Sequence, residues 1–200
     1  MKTTVILVRH GRTDKNVSGL LHSFSDDSSL TEEGRGQMEK TASWLKDLGV
    51  SKIYSSREER AVQSAEILAG NLRLTNEVVI GLEERNWGEF EGRPWATVKE
   101  ILDKFSLEER YLYKSPKGES WQEFENRTQE SLEGLIKQNL GKTLVVVTHG
   151  GVIRTLLPYL LGVKKEESFK YDPKNASLTI FEFIDGSFLP IVIDDIKHLS

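Results

Sequence analysis

The chain contains no cysteine. That excludes disulfides, thiol nucleophiles and thiolate-bound zinc or iron–sulfur centres, so any covalent intermediate must form on another side chain. It also lacks an apolar run long enough to cross a bilayer, and its first residues enter a β-branched stretch without the basic, apolar and small-residue succession of a signal peptide. A cytoplasmic protein with no membrane partner is expected. An excess of positive charge is missing too: 27 Lys and Arg against 31 Asp and Glu give a formal net charge of −4 and a pI near 5.7. Phosphate backbones are bound by clustered cations, so a nucleic-acid partner is not expected. No repeat, low-complexity tract or linker divides the 200 residues, which fit one α/β domain over 1–200.

What is present is organised around two strand ends. Thr3 to Val8 is an apolar run of the kind a strand buried on both faces produces, and it stops at Arg9-His10-Gly11. Thr143 to Thr148 repeats that grammar and stops at His149-Gly150-Gly151. In an open α/β sheet ligands bind outside the carboxyl ends of the strands, so two adjacent parallel strands of this form would aim both imidazoles at one spot. A lone histidine at a strand end is usually a hydrogen-bonded boundary residue. Two of only four histidines in equivalent positions are harder to assign that way, whereas His22 and His198 lack such a setting.

Between these ends the pattern alternates. A polar loop is expected over Val17 to Ser29, beside the candidate site, then a helix over about 31–48 capped by Ser29 or Thr31 and ended by Gly49. A short strand at 50–55 feeds a helix over about 58–69. Arg57 and Arg60 at that junction make a candidate anion site, because free helix N–H groups and a guanidinium favour the same charge. A third strand is expected at Val78 to Ile80. The segment LEERNWGEFEGRPW then interleaves Glu83, Glu84, Glu89 and Glu91 with Trp87, Phe90 and Trp95. A carboxyl group pressed against aromatic rings can stay protonated near neutral pH, as a general acid requires, and one of the four is expected to do so. Residues 82–120 are expected to form a largely helical cap insertion. A long helix follows, opened by a Ser120/Glu123 capping box. After the His149 strand come a helix at 152–161 and a hairpin turning at Asp185-Gly186. The expected fold is a three-layer α/β/α sandwich, mostly parallel, with an antiparallel edge.

RHGRT, SSREERAVQSAEIL, LEERNWGEFEG and VVVTHGGVIR, in this order, resemble the histidine phosphatase superfamily, the branch of cofactor-dependent phosphoglycerate mutases and small-molecule phosphatases. The resemblance spans nearly the whole chain. It implies that His10 takes up the phosphoryl group as phosphohistidine, that Arg9, Arg60 and His149 grip its oxygens, and that Glu84 is the proton donor. Thr13 and Asn16 match residues lining the phosphate and supporting the first loop, Gly150 a position whose backbone N–H faces the phosphoryl group, and Ser23 or Ser25 the phosphate-contacting loop position. A backbone carbonyl near Gly11 is expected to hold the second ring nitrogen of His10.

The implied activity is metal-independent hydrolysis of a small phosphomonoester, with no cofactor and no metal, by a monomer or homodimer. The rivals are a phosphoglycerate mutase, which in this family tends to have a longer middle segment, and a non-catalytic phospho-ligand-binding protein. Trp87, Phe90, Trp95, Tyr111 and Tyr113 are candidates either for the substrate wall or for packing of the cap. A dinucleotide-binding reading fails because no G-x-G-x-x-G follows the first strand.

Overall fold

The computed structural model describes residues 1–24 and 26–200. Six strands form one sheet: β1 (Lys2–Arg9), β2 (Lys52–Ser55), β3 (Asn76–Val78), β4 (Thr143–Thr148), β5 (Leu178–Ile184) and β6 (Ser187–Asp195), in the order β3-β2-β4-β1-β5-β6. The first four are parallel, and β5 and β6 complete an antiparallel edge. β1 and β4 lie side by side with Arg9 opposite Thr148. The two histidines that follow them therefore emerge at one sheet end.

Alternation along β1 sorts the core. Val5 and Leu7 face one layer with Leu144 and Val146, against Phe124, Leu132, Leu135 and Leu156 of α6 (Trp121–Gln138) and α7 (Gly150–Leu161). Ile6 and Val8 face the other with Val145 and Val147, against Met38, Leu45, Ala61 and Leu68 of α2 (Glu32–Leu45) and α3 (Glu59–Leu72). Central strands that are apolar on both faces demand helices on both faces. No helix among the described residues is long and apolar enough to cross a membrane.

Local chemistry sets the ends. Thr31 caps α2, accepting from the Gly34 N–H at 3.0 Å, and the last turn tightens to a 3-10 turn over Lys46–Leu48 before Gly49 turns left-handed at φ 63°. Ser120 and Glu123 form the expected capping box of α6, and Asp185-Gly186, with φ of 49° and 87°, turns the β5–β6 hairpin. The third strand is shifted from the expected 78–80 to 76–78. Its neighbour in the sheet, β2, ends at Ser55 opposite Val78, and Ile80 lies past that end and is exposed. A short helix, α1 (Asp14–Ser18), precedes the first loop and is opened by a Thr13/Asn16 capping box.

Residues 82–120 are less helical than expected. They hold α4 (Trp95–Leu102), α5 (Leu107–Leu112) and a 3-10 turn at Gly88–Phe90, while 82–87 are irregular. The reason lies in what those residues bond to: Arg85 donates to the Tyr113 and Glu119 carbonyls, and Asn86 N–H to the Glu119 carboxylate. Long-range partners replace the intrahelical ones. Trp87, Phe90, Val98 and Leu102 form a small apolar cluster of their own with Leu21, Trp95 and Tyr113.

Candidate active site

The carboxyl ends of β1 and β4 open into a cleft of about 190 Å³, lined among others by Arg9, Asn16, His22, Glu84, Gly150 and Arg154. His10 and His149 meet below it with ring centroids 5.3 Å apart. The His10 ring is buried, and its Nδ1 lies 2.7 Å from the Gly11 carbonyl oxygen. A carbonyl only accepts, so Nδ1 carries the proton and Nε2 keeps its lone pair. Burial, then the charges of Arg60, His149, Arg9 and His22, push His10 well below the ordinary histidine value. His10 is thus a neutral imidazole with one nitrogen ready for chemistry. Gly11 is needed beneath it: a Cβ there would lie 2.5 Å from the Gly34 carbonyl oxygen.

Around His10 stand nitrogens without partners among the described residues: Arg9 Nε, Arg60 Nε and Nη2, and His149 Nδ1 are buried and make no hydrogen bond there. Arg60 is wholly buried, and among the described residues it reaches the Asp26 carbonyl at 3.3 Å and the Asp26 and Glu58 carboxylates at 3.5 and 4.0 Å. Buried guanidinium N–H groups left unpaired are costly unless an anion completes them. Gly150 opens α7 beside them, so its helix N-terminus adds a favourable dipole.

Glu84 is half-buried and locked in place. Its Oε1 accepts from the Arg85 N–H at 2.8 Å and its Oε2 from the Gly151 N–H at 3.1 Å. Burial pushes its acidity toward the neutral form, but His149, these two N–H groups and Arg60 outweigh it and hold the group below the usual carboxylate value. This corrects the expected protonated acid among aromatics: Glu84 is a carboxylate in the free protein, because its neighbours are donors and cations. A Cβ at Gly151 would fall 2.0 Å from Glu84 Oε1. Since that atom ends a flexible side chain, Gly151→Ala is expected to displace the carboxylate with little loss of stability. Turnover of alkyl phosphates by that variant should fall about as far as when the acid itself is removed, with a thermal melt within a few degrees of the parent.

The remaining candidates take supporting places. Thr13 is buried, and its hydroxyl joins the Asn16 N–H and His22 Nε2. Asn16 lines the cleft and its Oδ1 accepts from Asn175. Ser23 is committed elsewhere: its hydroxyl accepts from the Trp87 N–H at 3.0 Å and faces the Arg85 carbonyl at 3.5 Å, which ties the first loop to the segment carrying Glu84. Ser25 lies outside the described residues. Among the aromatics, Trp87 and Trp95 line the cleft, whereas Phe90 and Tyr113 pack the cap cluster and Tyr111 joins the main core.

Several site residues were not legible in the sequence. His22, set aside for lack of a strand-end setting, sits 5.7 Å from His10, bonded through Nδ1 to Asp26. Asn175 donates to the His10 carbonyl at 3.1 Å from a segment far along the chain. Glu58 lies against His149. Scarcity was the one available signal for His22, and adjacency to Arg60 the one for Glu58.

Burial of His22 and the Arg60 charge outweigh the Asp26 bond and push His22 down to about 4. Below its ordinary value of about 6.5 the unfolded chain then binds the proton and the folded one does not. Stability is therefore full above about pH 6.5 and falls as the pH drops toward 4, by on the order of 2–3 kcal/mol for this group. Urea melts at pH 7 and pH 5 should show this loss well above the carboxylate range; equal midpoints would mean that His22 is not buried neutral.

Among the described residues no group of three or more His, Asp or Glu side chains is placed to hold a metal ion. A profile described as histidine phosphatase superfamily (branch 1) matches residues 5–195. The chain belongs to this family. A 2,3-bisphosphoglycerate-dependent phosphoglycerate mutase of Thermoplasma acidophilum is 30% identical over 199 residues, covering 93% of this chain and 90% of that protein. A metal-independent phosphoserine phosphatase of Arabidopsis thaliana is 29% identical over 204 residues, covering 99% and 84%. A phosphoserine phosphatase from Entamoeba histolytica, solved in complex with phosphoserine, superposes with a TM-score of 0.88 at 28% identity over 99% of this chain and all of that one. This histidine phosphatase fold thus occurs with both mutase and phosphatase relatives, and the mutase is of similar length, so length does not separate the two activities.

Proposed function

We propose that the chain is a metal-independent phosphomonoesterase that hydrolyses a small phosphorylated metabolite through a phosphohistidine intermediate. The observation that carries this reading is the neutral His10, its Nδ1 fixed on the Gly11 carbonyl, surrounded by buried nitrogens of Arg9, Arg60 and His149 that find no partner among the described residues. Phosphoryl transfer needs positioning and charge neutralisation, and two guanidiniums with a helix N-terminus supply charge that a metal supplies elsewhere. The Nε2 lone pair of His10 attacks phosphorus as the ester P–O bond breaks, and Glu84 protonates the departing oxygen. Glu84, ionised in the free protein, takes up that proton with the substrate: a phosphate group, with a second ionisation near pH 6, brings both the proton and the negative charge that favours neutral Glu84. As a carboxylate again, Glu84 accepts a proton from water, which attacks the phosphohistidine; the P–N bond breaks and His10 regains its lone pair.

The same cleft is also lined by Trp87, Trp95, Arg154 and Asp172. Arg154 has an unpaired Nε and lies 3.6 Å from the Asp172 carboxylate. A leaving group with charged substituents fits this end, as phosphoserine and the phosphoglycerates do. The test is release of inorganic phosphate in excess EDTA from a panel of aryl phosphates, sugar phosphates, phosphoserine and 3-phosphoglycerate. Release with one preferred ester is expected. Exchange between 2- and 3-phosphoglycerate without release would make the protein a mutase, and silence in both assays a binding protein.

A further inference from the structure

Glu58 stands at the N-cap position of α3, where a Ser, Thr, Asp or Asn side chain ordinarily accepts from the first free helix N–H groups. Here it makes no such bond. The side chain is buried and turns to His149 and Glu84. Each part of its carboxylate is used there. Oε2 bonds the Ser56 hydroxyl and lies 3.1 Å from His149 Nε2; Oε1 accepts from the Glu84 N–H at 2.9 Å and is 4.0 Å from Arg60 Nη2. Its contacts are with three candidate site residues and not with the helix it precedes, so the stability of α3 does not explain them.

We infer that Glu58 is a positioning residue that fixes the tautomer of His149 and the backbone of Glu84 with one carboxylate, so that both face the same phosphoryl group. A carboxylate only accepts, so the nitrogen facing it must carry a proton. His149 Nε2–H therefore points to Glu58 and Ser56, and Nδ1, which has no partner, is the edge turned to the ligand. Glu58 and a phosphoryl oxygen thus take opposite edges of one ring, and the two nitrogens cannot exchange roles while the carboxylate is in place. The charged and titratable groups facing this pair are His10 from β1, His22 and Asp26 from the first loop, Arg60 from α3 and Glu84. After burial, which works against it, His149, Arg60 and Ser56 hold Glu58 down at about 2, so it stays ionised at any working pH.

This inference rests on the phosphoryl-transfer reading, and its test separates the two. Glu58→Gln can still accept from Glu84 N–H, but it turns an amide N–H toward His149 Nε2 and removes the anion. Inorganic phosphate should bind this variant about 10- to 100-fold more weakly, kcat should fall by a similar factor, and Glu58→Asp should recover a large part of both. In the parent protein, nitrogen NMR of His149 should show Nε2 protonated whether or not any ester is turned over. Unchanged phosphate affinity and kcat in Glu58→Gln, even with a lowered Tm, would leave Glu58 a merely structural residue. An unprotonated Nε2 in the parent would overturn the inference without any variant having to fold. Failure of the parent to release phosphate from every ester would instead count against the phosphatase reading, and the NMR result would still stand.

Discussion

Replacing His10 by alanine is expected to abolish turnover and leave the protein folded. The ring is buried, so the cost to stability has to be weighed. Its single hydrogen bond goes to the Gly11 carbonyl, which retains Asn175 Nδ2 at 3.4 Å, and the ring stands among cationic groups that disfavour its charged form. Its loss therefore leaves no acceptor orphaned and removes no favourable ion pair, and about 1–2 kcal/mol is a reasonable cost. The effect on rate is of another order. Among the described residues no other side chain is placed as His10 is: there is no cysteine, His22 is held between Thr13 and Asp26, and His149 is fixed through Nε2 on Glu58 and Ser56 with its Nδ1 edge left for the phosphoryl oxygens. Removal of a nucleophile costs on the order of 10⁴–10⁶ in kcat. Acid-labile phosphate on the parent protein, and none on the variant, would accompany the loss. Measurable turnover by His10→Ala would sink the phosphohistidine mechanism.

Glu84→Gln should discriminate between substrates. A general acid contributes roughly 10²–10⁴ when the leaving oxygen is basic and little when it is an aryl oxide. Alkyl phosphates should therefore lose that factor and aryl phosphates less than about tenfold. The amide cannot release a proton, and one of its two ends presents N–H₂ to a backbone donor, Arg85 or Gly151. Equal losses on both ester classes would move the acid elsewhere. The structure narrows where: Glu83 is tied to the Gly81 N–H and lies 3.4 and 3.6 Å from Arg57 and Arg127, and Glu89 is exposed beside Lys117. Glu91, whose charge acts on Arg60, would be the remaining acid of that segment.

These expectations show which kinds of residue could be read from the chain. His10 and His149 were legible because each follows an apolar run that can only be a buried parallel strand, and the register that sets Arg9 beside Thr148 follows from pairing those runs. Capping boxes and the Asp-Gly turn were legible for the same reason: their chemistry is complete within a few residues. Residues 82–87 misled. Their acids and aromatics signalled a protonated carboxyl, whereas Glu84 is surrounded by N–H groups and cations that come from α7, β4 and α3.

By itself the sequence determined the sandwich, the order of its layers and the end of the sheet at which chemistry is placed, because hydrophobic periodicity and strand-end glycines are local records of burial. Only the tertiary structure decided the charge state of Glu84, the partners of Ser23, and the entry of His22, Asn175 and Glu58 into the site. Those depend on which donors and carboxylates stand within about 3–4 Å of one another across segments distant in sequence. Electrostatic and hydrogen-bonding environments are properties of such meetings, and no local pattern encodes them.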